Sequence, residues 1–307
     1  MKHLKSIYIL LALLVLPLIA KAQQLPQFSQ YMYNTISINP AYAGSREILV
    51  VNVLHRNQWL GINGAPVTQT LSAHSSIPGT NFGAGLSVIN DKLGYEKTVH
   101  LFADLSYKIK LDLYEEYQIT FGLKIGTSKY DIDDALFNDP DYLSDPFLNQ
   151  LDYKWHPNFG AGVYFRGKSF YLGLSSPKLL TNNNISTYVS LDRASYFFNG
   201  GYLVDINKNF KFKPAFLIKY TDGAPISFDL SAMFFINEKL WLGGSYRFVD
   251  SFGAIANFKI TKGLSVGYSY DYITSNLKTY TSGSHEIMIN YEFEFPKPRC
   301  KCKDLYN

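Results

Sequence analysis

The segment His285-Glu286-Ile287-Met288-Ile289-Asn290-Tyr291-Glu292-Phe293-Glu294-Phe295 alternates apolar with polar or charged residues along its whole length. A β-strand sends successive side chains to opposite faces, so this run has one apolar and one charged face. The pattern recurs about thirteen more times upstream, which predicts about fourteen strands. Phe82, Ala84, Leu86 and Val88 share one face, with Gly83, Gly85 and Ser87 on the other. Tyr117, Ile119, Phe121, Leu123 and Ile125 oppose Gln118, Thr120, Gly122, Lys124 and Gly126. Phe210, Phe212, Phe216 and Ile218 oppose Lys211, Lys213 and Lys219, and Leu264, Val266, Tyr268, Tyr270 and Tyr272 oppose Ser265, Gly267, Ser269 and Asp271. The strand near Ile48 to His55 is the least regular of the set.

The apolar faces need either lipid or a protein interior. A soluble sheet also alternates, with one face packed and one wet. Three features favour lipid. Aromatic residues gather near strand ends, as at Tyr117, Phe165, Tyr220, Phe248, Phe252, Tyr272 and Phe295, where interfacial girdles sit in outer-membrane barrels. The opposite faces carry small or charged residues. Successive strands are joined by simple hairpins, tight at Pro78-Gly79-Thr80-Asn81, Arg166-Gly167-Lys168, Asn237-Glu238-Lys239 and Thr261-Lys262-Gly263, with longer links between them. Only a closed sheet pairs all its backbone groups in lipid. The expected fold is all-β: a transmembrane antiparallel β-barrel of about 14 strands with an N-terminal plug-like segment. With about fourteen strands, both termini are expected on the short-turn, periplasmic side of the outer membrane.

The ends divide the chain further. Met1-Lys2-His3-Leu4-Lys5, an apolar run from Ile7 to Ala20 and the small-x-small exit Ala20-Lys21-Ala22 predict a signal peptide over 1–22, cleaved between Ala22 and Gln23. The run is short for a spanning helix and Pro17 interrupts it. Residues 23–45 lack a two-residue period, and Asn39-Pro40 and Ala43-Gly44-Ser45 mark turns. They are expected to pack in or under the barrel of 46–295. A periplasmic tail of 296–307 carries Cys300 and Cys302. These lack the ligands of a metal site, and a bond across one intervening residue would be strained. The chain holds 29 basic and 25 acidic residues. Lys2, Lys5 and Lys21 fall in the leader, so the remainder is near neutral and offers no electrostatic case for nucleic acid.

The predicted lumen carries Lys108, Lys110, Lys124, Arg166, Lys211, Lys213, Lys219, Arg247 and Lys259 against Asp104, Asp205, Asp229, Asp271, Glu286, Glu292 and Glu294. The signs nearly cancel, which suits a paired network bracing the wall better than a one-sign selectivity ring. The carboxylates of Asp131, Asp133, Asp134, Asp139, Asp141 and Asp145 lack the glycine and terminal glutamate of a calcium loop. His74 beside Ser72, Ser75 and Ser76 is the one local pairing of catalytic interest, and no hydrolase motif accompanies it. No enzyme activity, cofactor or metal is therefore expected. Glycines in Phe82-Gly83-Ala84-Gly85-Leu86 and Phe159-Gly160-Ala161-Gly162-Val163 admit close approach of another backbone, either the chain's own N-terminal segment or a guest peptide.

Gln30-Tyr31-Met32-Tyr33-Asn34, Asn39-Pro40-Ala41-Tyr42-Ala43-Gly44-Ser45, Arg56-Asn57-Gln58-Trp59 with Ala65-Pro66, and the first glycine strand resemble the PorP/SprF family. The resemblance covers essentially the whole chain after the leader. It implies an outer-membrane component of the type IX secretion and gliding-motility system of Bacteroidetes. Such a protein receives or anchors exported proteins at the cell surface through their C-terminal domain. Its implied partners are that cargo, periplasmic components of the secretion machinery and outer-membrane lipids. Tyr31, Tyr33, Asn34, Asn39, Pro40, Tyr42 and Trp59 are the candidate partner or plug contacts, with structural packing the alternative for each. A passive porin or small-molecule channel is the competing function.

Overall fold

The computed structural model describes residues 26–114, 116–133, 136, 155–180 and 193–294. The expected leader with Ala22 and Gln23, the loop acids Asp134, Asp139, Asp141 and Asp145, Phe295, and Cys300 and Cys302 lie outside the described residues. The strands are β1 (Leu49–Asn57), β2 (Val67–Ser76), β3 (Phe82–Leu93), β4 (Glu96–Lys110), β5 (Gln118–Ile132), β6 (Trp155–Arg166), β7 (Phe170–Lys178) and β8 (Ser195–Tyr202). They continue as β9 (Val204–Asn207), β10 (Phe210–Thr221), β11 (Ser227–Ile236), β12 (Leu240–Arg247), β13 (Ser251–Lys259), β14 (Leu264–Ile273) and β15 (Ser284–Phe293).

All pairings are antiparallel, and β1 closes the sheet onto β15. Both β8 and β9 pair with β10 and are separated only by Leu203. They are one interrupted strand, so the described residues form a closed barrel of 14 strands. Closure leaves no sheet edge, the condition for a sheet in lipid.

Burial is inverted relative to a soluble protein. In β5, Leu123 and Ile125 are 59% and 58% exposed, while the lysine between them, Lys124, is 1% exposed. The same inversion holds where Leu86 and Leu105 face out and Ser87, Asp104 and Ser106 are buried. The outward faces meet lipid and the polar faces meet the interior. The strand expected to be least regular, β1, alternates cleanly and turns Val50, Asn52, Leu54 and Arg56 inward.

One rim holds the starts of β1 and β3 and the end of β15, and it is joined by tight turns such as Lys208-Asn209. This is the periplasmic rim. The other rim carries the 58–66 and 274–283 loops, yet β3 and β4 are joined there by Gly94-Tyr95 alone, and β12 and β13 by residues 248–250. Loop length therefore does not alternate as regularly as the sequence suggests. The strands β3, β4 and β5 run 12, 15 and 15 residues against 9 and 10 for β1 and β2, which leaves little chain for the β3–β4 link. Aromatic pairs edge both rims. Phe82 meets Tyr107 at 5.0 Å and Tyr117 meets Phe165 at 6.5 Å on the periplasmic side. Tyr196 meets Tyr220 at 6.2 Å and Tyr246 meets Phe252 at 4.6 Å on the outer side.

Candidate functional site inside the barrel

Residues 26–45 form no strand. Two short 3-10 turns, Thr35–Ser37 and Pro40–Tyr42, fold this segment. Asn39 caps the second turn, its side-chain oxygen accepting from the Ala41 N–H at 2.9 Å, and Pro40 supplies the fixed φ that suits a first position. Gly44, at φ +64°, reverses the chain toward β1.

Hydrogen bonds tie this segment to inward-facing wall residues along the barrel axis. At the outer end, the Gln27 amide donates to Ser227 and Asp229 at 2.8 and 3.0 Å. Deeper, the Ser29 and Gln30 N–H groups donate to the Glu286 carboxylate at 3.0 and 2.8 Å, and the Ser29 hydroxyl donates to Asp271 at 2.6 Å. Arg56 completes this knot with ion pairs to Asp271 at 2.8 Å and Glu286 at 3.1 Å. All three charged groups are buried. At mid-depth the Asn34 amide donates to Thr70 and accepts from Ser72. Lys124, paired with Asp104 at 2.7 Å, donates to the Ile36 carbonyl. Nearer the periplasm, Ser175 donates to the Ile38 carbonyl, Asn39 to the Val163 carbonyl and Ser106 to the Ala43 carbonyl. At the rim itself, Arg166 donates to the Ser45 carbonyl at 2.9 Å.

Glycines in the wall make room for this path. A Cβ built on Gly122 would strike the backbone of Pro40 and Ala41, and one on Gly83 would strike the Ala43 carbonyl and Gly44. Gly85 and Gly162 are likewise occupied by the Ile36 and Asn39 side chains. The apolar side of the segment packs Phe28, Tyr31, Met32 and Ile38 with Leu54, Phe197, Leu217 and Met233 from the wall.

Six of the seven candidate contacts come together here: Tyr31, Tyr33, Asn34, Asn39, Pro40 and Tyr42. Trp59 stands apart in the outer 58–66 loop, with φ +53° and its backbone N–H donating to the Ser284 hydroxyl at 3.1 Å. The serine–histidine grouping does not assemble as a catalytic pair. Ser72 donates to Asn34, while His74 accepts from the Gly44 N–H and meets the Tyr42 ring edge-on at 5.3 Å. Asp133 pairs with Lys97 at 3.3 Å and with Lys92, and Asp131 pairs with Lys129 at 3.0 Å. Among the described residues no cluster of metal-ligating side chains forms. The residue the sequence underrated is Arg56. Its place two positions beyond Leu54 in the Val50, Asn52, Leu54 alternation was the signal for an inward guanidinium.

A closed barrel with an aliphatic and aromatic exterior and a polar interior is a multi-pass outer-membrane protein. The family profile described as type IX secretion system membrane protein PorP/SprF matches residues 20–291, and the chain belongs to that family. Family and fold are those of a secretion or membrane channel protein. No curated protein matches the chain. Similar solved structures include a KdgM porin (10% identity, TM-score 0.40, covering 80% of this chain and 99% of that one). Others are a NanC porin (12%, 0.42, 80% and 100%) and a mutant TodX monoaromatic hydrocarbon channel (10%, 0.44, 81% and 90%). At TM-scores this low, nothing about function follows from them.

Proposed function

We propose that this barrel serves type IX secretion as an outer-membrane receptor that receives or anchors exported proteins at the cell surface through their C-terminal domain. The observation that carries the reading is the family match over residues 20–291. Residues 26–45 act as a plug, bound to the wall through Arg56, Glu286, Asp271 and Lys124, so the lumen is not an open pore. A guest is then held at a rim, by strand addition or by aromatic contact at Trp59, and periplasmic components of the secretion machinery meet the short-turn side. The passive-porin alternative is disfavoured by the same buried segment.

Affinity purification of the barrel from outer membranes, followed by identification of bound chains, tests this. An exported protein is expected to co-purify and to be lost when its C-terminal domain is removed. Recovery of the barrel without any exported chain, from cells actively secreting, would overturn the reading.

A further inference from the structure

A cavity of about 310 Å³ opens beside the N-terminal segment in the periplasmic half of the barrel. It lies between the segment, at Tyr33 and Tyr42, and the wall formed by β10 to β15 with β1 and β2. Two lysines of that wall, Lys213 and Lys259, line it. Both are part-buried, and their surroundings differ from those of three fully inward cations. Arg56, Lys124 and Arg247 each face a carboxylate at 3.1 Å or less. Lys213 instead stands over the rings of Tyr171 at 5.5 Å and Trp241 at 6.0 Å, and Lys259 over Phe235 at 5.6 Å. Neither makes an ion pair with a carboxylate among the described residues.

Phe235 and Trp241 stack on each other at 4.5 Å, so the two ammonium groups sit on one continuous aromatic ledge. The one carboxylate at the cavity, Glu292, is taken by Arg46, so the two ammonium groups lack an acid of their own, and aromatic faces offset only part of the cost of burying them. A lysine also keeps three N–H donors to satisfy.

The geometry points to a binding site, on this ledge, for a carboxylate borne on an apolar or aromatic group that enters from the periplasmic mouth. The surroundings favour carboxylate over phosphate. Lysine ammonium groups attract either anion as point charges, so the neighbouring groups decide between them. The guanidinium at this cavity, Arg46, is already engaged by Glu292. The wall strands tie up their N–H groups in the ladders between β10 and β13. An aromatic ledge, in contrast, suits an apolar stem ending in a single negative charge. The site stands whether or not the barrel receives cargo.

The test uses the full-length protein in detergent micelles and follows Trp241 fluorescence, with Trp241→Phe assigning the signal. The probes are 3-phenylpropionate, its uncharged amide and inorganic phosphate. The carboxylate is expected to produce a saturable change that the amide does not. Lys213→Gln combined with Lys259→Gln should weaken it by at least about tenfold, and Arg at both positions should restore it. Equal responses to carboxylate and amide, or displacement of the probe by phosphate at lower concentration than the probe itself, would overturn the assignment. So would undiminished binding by the folded double glutamine variant. Should that variant fail to fold, the comparison of carboxylate with amide on the unaltered protein decides.

Discussion

Arg56 is one cation shared by two buried carboxylates, and its value lies in what its loss leaves behind. Glu286 also accepts from the Ser29 and Gln30 N–H groups, and Asp271 from the Ser29 hydroxyl. Truncation to alanine strands both acids in a dry interior, a class of change that costs about 3–5 kcal/mol. Arg56→Ala is therefore expected to lower the unfolding free energy of the barrel in micelles, read from a urea titration, by that amount, whereas Arg56→Lys recovers only part because an ammonium lacks the fork. A change below about 0.5 kcal/mol, the range of ordinary surface substitutions, would show that the knot is not a stabilising element. Much of this chemistry was readable. Asp271, Glu286, Asp104 and Lys124 follow from strict alternation as inward residues. Their pairing does not, because partners such as Ser29 and Glu286 lie far apart in sequence and meet only after closure. Arg56 was hidden by the loop residues that follow it, which break the alternation one step later.

At the scale of elements, the glycine strands β3, β5 and β6 and the segment 26–45 are complementary parts. Gly122→Ala would overpack the contact with Pro40 and Ala41 and is expected to cost about 1–3 kcal/mol. Ala103→Leu, on the lipid face of β4, should be nearly neutral. Heat-modifiable mobility on gels, measured across temperature, checks both. The glycine pattern was legible as room for another backbone, but which backbone occupies it was not, since composition cannot distinguish the chain's own segment from a guest.

The β4–β5 turn offers a pH-dependent counterpart outside the membrane. Asp112 accepts from the N–H groups of Tyr117, Glu116 and Tyr114 at 2.7, 3.2 and 3.2 Å. These bonds, that of Tyr117 foremost, hold its carboxyl below the usual aspartate value. A depressed folded value stabilises above the unfolded pKa of roughly 4, and that contribution is lost as pH falls through the lowered value. At neutral pH, Asp112→Ala is expected to speed amide exchange at Tyr114, Glu116 and Tyr117. The difference from the parent should vanish in strong acid, and a pH-independent difference would contradict the capping account.

For the whole molecule, the path of residues 26–45 has a direction: its first described residues lie at the outer rim, not on the periplasmic side where both termini were expected, because the segment threads the lumen before β1 begins. Gln27 bonds to Ser227 at the outer rim, and Ser45 bonds to Arg166 at the periplasmic rim. An epitope joined immediately before Pro26 should therefore bind antibody on intact cells, and one in the Lys208-Asn209 turn only after permeabilisation. The reverse result would invert the barrel. The strand number and the barrel were legible because lipid forces every strand into the same two-residue period. The irregular features were not. The break at Leu203, the register shift between Ser175 and Lys178, and the short β3–β4 link depend on neighbouring strands rather than on local sequence.

Under the proposed function this barrel is closed by its own N-terminal segment and works by holding a chain, not by conducting solutes. Single-channel recording in planar bilayers addresses it directly, using the unaltered protein beside a variant lacking residues 26–43. No steady conductance is expected from the unaltered protein, and frequent, large openings once the segment is gone. Stable porin-like conductance from the unaltered protein would contradict it.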